Sequence, residues 1–560
     1  MRKIQIYSLI LLLLFGLFSC QKDATVEISS TINPQNNHKP GMMVLGKKLE
    51  NPYTVANMNK AYENLVSAGI LKSGLEITAT HIYIRYLPAN QQELYDFETY
   101  LLTHLSESEL ELLENEVGLY LFDYPLDYEI EEGGNYYYDP QLPPGGITWQ
   151  YAAIPVDLNM PSVNYEVIDS LYLNNPNGGA SLKSGVGLDP KIWDLLETEA
   201  LTIAGDPHAN ITGDPGLKNS SWTPSGRIRV FDDILGQQIP LNGVKVRARR
   251  WFITHSGVTD SIGSFSVNGT FPSGRPANYS IIWERADWDI VAMNFELLGW
   301  WQAYFNGPKQ TAPWNLDISS DKSLRYATIH RALHRYFYQQ RLGLKTPYNP
   351  AWYQWKMKVG YSHNAGTSNA IPYLTTYGRP HAEVYGCSSG GTWRSTNTIF
   401  ALTIHEVAHV SHYDLIGRFS FSELWANANT RIIPESWAEA VEWGLTNLEY
   451  NTLGNRFNNT AAMNYNHNHG LQFWNTSGLR DYTPMFIDLI DNINQRLTHG
   501  GGSTTFPPDD VTGYSFNVLE NNVLINTHGF SSFKTKLKQF RPTGVTDQQI
   551  DGLIDFYSNF

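Results

Sequence analysis

Cysteine is nearly absent from this chain: 560 residues contain two, Cys20 and Cys387. With Cys20 closing an apolar N-terminal run, no pair of unmodified thiols remains for an internal disulfide, so the fold must be held by cores large enough to need no staples. Charge is sparse too. Only 17% of residues are charged against 42% hydrophobic, which excludes the polar, charge-rich composition of a disordered chain. Positive charge is in deficit, with 40 Lys and Arg against 54 Asp and Glu for a net charge of −14, and this disfavours a nucleic-acid partner. Beyond the N-terminus there is no apolar run long enough to cross a bilayer. Aromatics are plentiful, 16 Trp and 33 Tyr, enough to fill several cores or line a binding cleft. A chain of this length is expected to divide into about two to four domains.

Arg2 and Lys3 precede an apolar run from about Ser8 to Phe18, too short for a membrane helix, which reads as an export signal. Its end, Leu17-Phe18-Ser19-Cys20, resembles the lipobox of bacterial lipoproteins, although Phe18 is a less usual occupant of its position. That resemblance implies cleavage before Cys20, acylation of Cys20 and anchorage of the exported protein to the outer membrane by lipid. The following Gln21-Lys22-Asp23 resembles the short charged tag of Bacteroidota surface lipoproteins and suggests exposure at the cell surface.

Composition and periodicity divide the rest. After a signal peptide at 1–19, residues 20–50 are rich in Asn, Pro, Ser and Thr and read as a tether. Residues 51–173 read as an α+β domain of unknown role: a helix over about 56–68, a strand at His81–Tyr86 with alternating polarity, and a helix over about 91–105. A polar linker with one short helix follows at 174–225. From Gly226 to about 300 the texture becomes all-β. Arg227–Val230, Val244–Arg249 and Ser264–Val267 alternate apolar and polar residues, and Asp260 and Gly263 supply a turn before the last of them. This stretch resembles the carboxypeptidase regulatory-like, transthyretin-type β-sandwich, which implies a spacer or accessory role. Its basic stripe, Lys245, Arg247, Arg249 and Arg250, reads as the solvated face of a strand. Residues 301–560 are mainly helical. The expectation is thus a multidomain α+β protein with its chemistry in the last domain.

Metal-assisted hydrolysis needs two neutral imidazoles aimed at one point and a carboxylate beside the bound water, and a helix provides this when the histidines are four residues apart. His405-Glu406-Val407-Ala408-His409 meets the requirement, inside a stretch over Thr396–Asp414 with no Pro or Gly to interrupt a helix. Glu406 then stands as the general base for the water. With 16 histidines in the chain, such a motif arises by chance in roughly 2% of comparable sequences, whereas a bare HxxxH arises about every other time. The second case is present: His330-Arg331-Ala332-Leu333-His334 has Arg331 in the base position and reads as a pair of core-edge histidines.

The third ligand sets the subclass. A metzincin continuation fails, because His412 and Leu415 occupy its glycine and final histidine positions. Downstream, Ile433-Pro434-Glu435-Ser436-Trp437-Ala438-Glu439-Ala440-Val441-Glu442 starts a helix and sets three glutamates on one face at i, i+4 and i+7. Glu435, in the first turn, is the expected ligand, with Glu423 as the alternative.

HEVAH followed by PESWAEAVEW resembles the gluzincins over about a hundred residues, and the remainder of the chain points to no particular peptidase family. The resemblance implies a zincin-like C-terminal domain in which Zn2+ is held by His405, His409 and Glu435, with Glu406 as base and Glu439 orienting a metal-bound histidine. It also implies a Tyr or His after the second motif that stabilises the oxyanion; Tyr465, His467, His469 and Tyr482 lie there, and Tyr482 and His469 rank first. Arg379–Tyr385 is expected as an edge strand that pairs with extended substrate. The expected activity is zinc metallopeptidase hydrolysis of extracellular protein or glycoprotein substrates. The alternative from another class is a non-catalytic surface lipoprotein that captures glycan or protein, its zinc site structural and closed by His412.

Overall fold

The structure is a computed structural model, describing residues 41–90, 93–94, 96–97, 121–142, 147–158, 160, 163–173, 188–209, 220–294, 299–347, 356–370, 380–454, 469–474 and 480–559. The expected signal peptide, Cys20 and most of the expected tether lie outside these residues, as do most of the helix expected over 91–105, Tyr465 and His467. The chain is a multidomain α+β protein with a mostly helical C-terminal region.

The N-terminal module holds strand β1 (Val44–Lys48), helix α1 (Val55–Ser67), and strands β2 (His81–Tyr86), β3 (Tyr128–Glu132), β4 (Gln150–Pro155) and β5 (Tyr165–Leu171). Helix α1 starts where the Thr54 side chain accepts from Asn57 N–H, and it buries Met58, Ala61 and Leu65, spaced to form one stripe. Strand β2 lies between β4 and β5 in an antiparallel sheet, and β1 pairs with β3 separately. Helix α2 (Pro190–Ile203), in the expected linker, packs on α1.

A two-sheet arrangement follows. One sheet has the order β10 (Ile253–Val258), β9 (Lys245–Arg250), β13 (Ala277–Ile282), β16 (Tyr304–Gln310). The other has β11 (Ser264–Ser266), β7 (Ser225–Asp232) and β17 (Trp314–Ile318), with β8 (Gln237–Pro240) also on β7. The short β6 (Ser221–Trp222) and β12 (Phe271–Pro272) pair with each other. Val230, Val246, Ala248, Tyr279 and Ile281 fill the space within. Between β13 and β16 the chain leaves to form β14 (Trp288–Asn294) and β15 (Gly299–Gln302), which belong to the next sheet. The division expected at residue 300 therefore cuts through pairing: residues 304–318 return to the two-sheet unit, while 288–302 serve its neighbour.

The basic stripe of β9 is not solvated. Arg247, Arg249 and Arg250 are buried. Glu284 takes Lys245 at 2.8 Å, Arg247 at 3.1 Å and Lys356 at 3.0 Å. The Arg249 guanidinium lies 5.5 and 5.7 Å from the Phe122 and Tyr124 rings of the N-terminal module. Arg250 meets Glu197 of α2 at 2.8 Å, and Glu197 also pairs with Arg275 and accepts from Tyr53 Oη. A charged strand face escapes water here because each charge has a partner or an aromatic face on the adjoining module.

In the C-terminal region the sheet order is β15, β14, β18 (Met357–Ala365), β20 (Ala382–Cys387), β19 (Asn369–Ala370). Its three inner strands are parallel and its two edges antiparallel. Helix α3 (Asp321–Tyr338) and helix α4 (Thr396–Ile416) pack on each other, and α4 also lies on β20. Helices α5 (Arg418–Ala426) and α6 (Ile432–Gly454) complete the surroundings of α4. Beyond them come α7 (His469–Gln472), α8 (Met485–Ile490), α9 (Gln495–Thr498), α10 (Phe530–Gln539) and α11 (Asp547–Ser558). No helix among the described residues is long and apolar enough to cross a membrane.

Candidate metal centre

Helix α4 is buried for most of its length, and its start is fixed from outside the helical region. Asp233, in the turn between β7 and β8, accepts from Thr396 N–H at 3.1 and 3.0 Å, while Asp233 N–H donates to Thr396 Oγ1 at 3.2 Å. The neighbouring Asp232 accepts from Arg331 of α3 at 2.8 Å and Tyr450 of α6 at 2.9 Å. One turn of the two-sheet unit thus holds three helices. Helix α4 stops at Gly417, whose φ of 80° lies in the left-handed region that favours glycine. The reversal lays α5 back over the last turns of α4.

His405 and His409, one turn apart on α4, meet Glu435 from the first turn of α6. The two Nε2 atoms are 3.2 Å apart, and Glu435 Oε2 lies 3.5 Å from His405 Nε2 and 3.2 Å from His409 Nε2. All three residues are buried, and they are the one group of His, Cys, Asp and Glu among the described residues whose ligand atoms gather in this way. Such a group could hold a metal ion. Burial alone would raise the Glu435 carboxyl, but the two imidazoles outweigh it and hold the group well below the usual carboxylate range. Glu406, next to His405 on the helix, is buried with them.

Glu442 places Oε2 3.1 Å from His405 Nδ1, in the kind of position expected of Glu439, which is also buried on α6. Helical phase explains the difference. At about 100° per residue, position i+7 returns to within about 20° of Glu435, whereas i+4 is turned about 40° away. Glu435 and Glu442 therefore stand on one line along α6 and address opposite edges of the same ring. The third glutamate of the PESWAEAVEW face was visible in sequence, but the choice between i+4 and i+7 depends on how α4 and α6 cross.

Tyr482 reaches the site. Its ring is 6.2 Å from that of His405, and the residues on either side are tied to α6 and the turn before it: Asp481 to Arg431 at 2.8 Å, Thr483 to Ser436 at 2.7 Å. Of His469 only the backbone, in α7, is described. Glu423 is exposed on α5 and lies outside the ligand group. His412 is also outside it: the ring is buried edge-on to Phe421 at 5.4 Å, and neither nitrogen has a hydrogen-bond partner among the described residues. Burial, and then the nearby His409, push His412 down to about 3.

His330 and His334 are buried on α3, their rings stacked 5.9 Å apart, with His330 Nε2 against Asn242 O at 2.8 Å. Burial pushes them down to about 3 and about 4, so both are neutral packing residues. Cys387 is buried at the end of β20, where burial raises its thiol. Strand β20 is not the edge expected for substrate, since β19 covers it at Glu383 and Ala382. Arg394 further ties down the Tyr385 and Cys387 carbonyls.

Sequence reasoning missed α5. Phe421 and Trp425 lie four residues apart on one of its faces, stacked 5.5 Å from each other, and Trp425 stands edge-on to His409 at 5.0 Å. An aromatic pair at i, i+4 is a detectable signal, but only the Gly417 reversal directs it toward the histidines. No family model, curated protein or solved structure matches the chain, so the chemistry of the site is read from its own geometry.

Proposed function

We propose that this chain is a zinc metallopeptidase of gluzincin type, an N-terminal α+β module and a carboxypeptidase regulatory-like sandwich preceding a zincin-like domain. The observation that carries the proposal is the donor triangle. Ligand atoms about 2.0–2.2 Å from a tetrahedral ion stand about 3.3–3.6 Å from one another. The three separations here are 3.2, 3.2 and 3.5 Å. Two imidazoles and one carboxylate are a donor set suited to zinc, and three protein ligands are the number that a hydrolytic site uses.

Zinc bound at these residues supplies a Lewis acid that polarises the scissile carbonyl and acidifies water near neutral pH. The remaining work falls to the chain. Glu406 takes the proton of the attacking water and returns it to the leaving amine. Glu442 accepts from His405 Nδ1–H, which fixes the tautomer with its lone pair on Nε2, toward Glu435 and His409. Tyr482, held beside His405, is the favoured hydrogen-bond donor to the developing oxyanion, with His469 as the second candidate. The structural-site alternative needs a fourth protein ligand, and the placement of His412 against Phe421 counts against it.

The proposed substrates are extracellular proteins or glycoproteins, reached by an enzyme anchored to the outer membrane through acylated Cys20; fatty-acid labelling that survives C20A would remove the anchor from the proposal. The activity is tested by measuring metal content and digesting a peptide library with wild type and E406Q. One zinc per chain in both, with hydrolysis by wild type alone, is expected. Absence of stoichiometric zinc, or hydrolysis unchanged in E406Q, overturns the reading.

A further inference from the structure

The ligand atoms are buried, yet a substrate must reach them. Two half-buried aromatic side chains make ring contact with the metal-site histidines: Tyr482 against His405 and Trp425 against His409. Phe421, the other ring beside His409, is itself buried. Among the described residues, Trp425 and Tyr482 are thus the partly exposed rings in contact with these histidines. Tyr482 already has a place in the proposed chemistry, whereas Trp425 has none.

The setting of Trp425 is that of a fixed platform. Phe421 stacks on it at an interplanar angle of 21°, and His409 meets it at 86°, so the ring is braced from two directions. Phe421 is braced in turn by His412 at 5.4 Å and Tyr413 at 5.7 Å. The half-buried indole is flat, largely apolar and braced next to His409. A surface of this kind attracts another aromatic ring through offset or edge contacts and offers little to a small polar side chain.

We propose that Trp425 is a specificity-determining residue that selects substrates with an aromatic side chain, Phe or Tyr, in the residue flanking the cleaved bond. The proposal rests on the peptidase reading above. It makes α5, which the reversal at Gly417 sets against α4, the element that reads substrate.

The test compares kcat and KM for three synthetic peptides identical except for Phe, Ala or O-glycosylated Thr flanking the bond that the wild type cleaves. Wild type, W425A and W425L are used, each with its zinc content measured. The expected result is preference of wild type for the Phe peptide, and a fall of about tenfold or more in its kcat/KM in both variants, mainly through KM, at one zinc per chain. The Phe to Ala ratio then approaches one. Equal cleavage of the Phe and Ala peptides by wild type, preference for the glycosylated peptide, or an unchanged ratio in W425L with zinc retained each overturn the proposal. Wild type that binds zinc but cleaves no library peptide overturns the peptidase reading itself, and the two failures are told apart by that control.

Discussion

Glu442 Oε2 lies 3.1 Å from His405 Nδ1, on the far edge of the ring from Glu435. Two carboxylates of one helix thereby take one imidazole between them. Removing the outer partner frees the ring to rotate and lowers its basicity as a ligand, so E442Q is expected to weaken zinc binding by about 10- to 100-fold. E439Q is expected to change it far less. Competition against a chromogenic chelator measures both, and a larger effect for E439Q would contradict the assignment.

Asp233 carries the start of α4 across from the two-sheet unit. D233A removes the acceptor for Thr396 N–H and is expected to cost about 0.5–2 kcal/mol, the range for loss of an N-cap. Thermal unfolding of the metal-free protein reads the effect. Since the capped helix bears both histidines, zinc affinity should fall alongside stability, while substitution of the exposed Asp317 in the same unit should move neither.

The ion pair of Arg250 with Glu197 is buried on both sides. Glu197 also holds Arg275 and Tyr53, and its carboxyl stays below the usual range because Arg250 and Arg275 outweigh the effect of burial. E197A strands the buried Arg250 guanidinium and leaves Arg275 with Asp194 at 3.7 Å and Thr198, and is expected to cost about 3–5 kcal/mol. Urea unfolding followed by tryptophan fluorescence should show the N-terminal module separating before the rest.

Three buried acids of the C-terminal region, Asp488, Asp491 and Asp509, set a pH dependence. Burial pushes Asp491 up to about 6 and Asp509 up to about 8, and raises Asp488 well above the usual range. An acid whose folded value is raised contributes stability that is complete below its unfolded value, near 3.8, and is lost as pH rises through the folded value. These three groups therefore contribute more stability near pH 5 than near pH 8, opposing the buried His330, His334 and His412, whose lowered values favour the fold above pH 6.5. D509N keeps an acceptor for Gln495 N–H while removing the charge, so it should raise Tm at pH 8 by about 2–4 °C and flatten the slope. A slope unchanged by D509N contradicts the assignment.

How much of this was legible in the sequence differs by level. Helix α4 and strand β2 were readable because periodicity is local, and so was the HExxH pair, since a helix fixes the i, i+4 geometry without outside help. Glu435 was readable as a first-turn carboxylate on a second helix. What was not legible depends on contacts between distant segments. The burial of Arg247, Arg249 and Arg250 requires knowing that an N-terminal module covers β9, and a strand alternating charge and apolar residues looks solvated until that cover is present. The excursion of β14 and β15 between β13 and β16 leaves no local mark at residue 300. Glu442 rather than Glu439, and the approach of Trp425 to His409, follow from how helices cross and reverse.

The central claim is that His405, His409 and Glu435 hold one zinc ion with a position left for water. Zinc-edge X-ray absorption of the purified protein tests it most directly. The expected spectrum fits two imidazoles, one carboxylate from the protein and one exchangeable oxygen, and E435Q alters the shell while H412F leaves it unchanged. A shell of four protein ligands with no exchangeable oxygen, or one that changes in H412F and not in E435Q, would contradict the account.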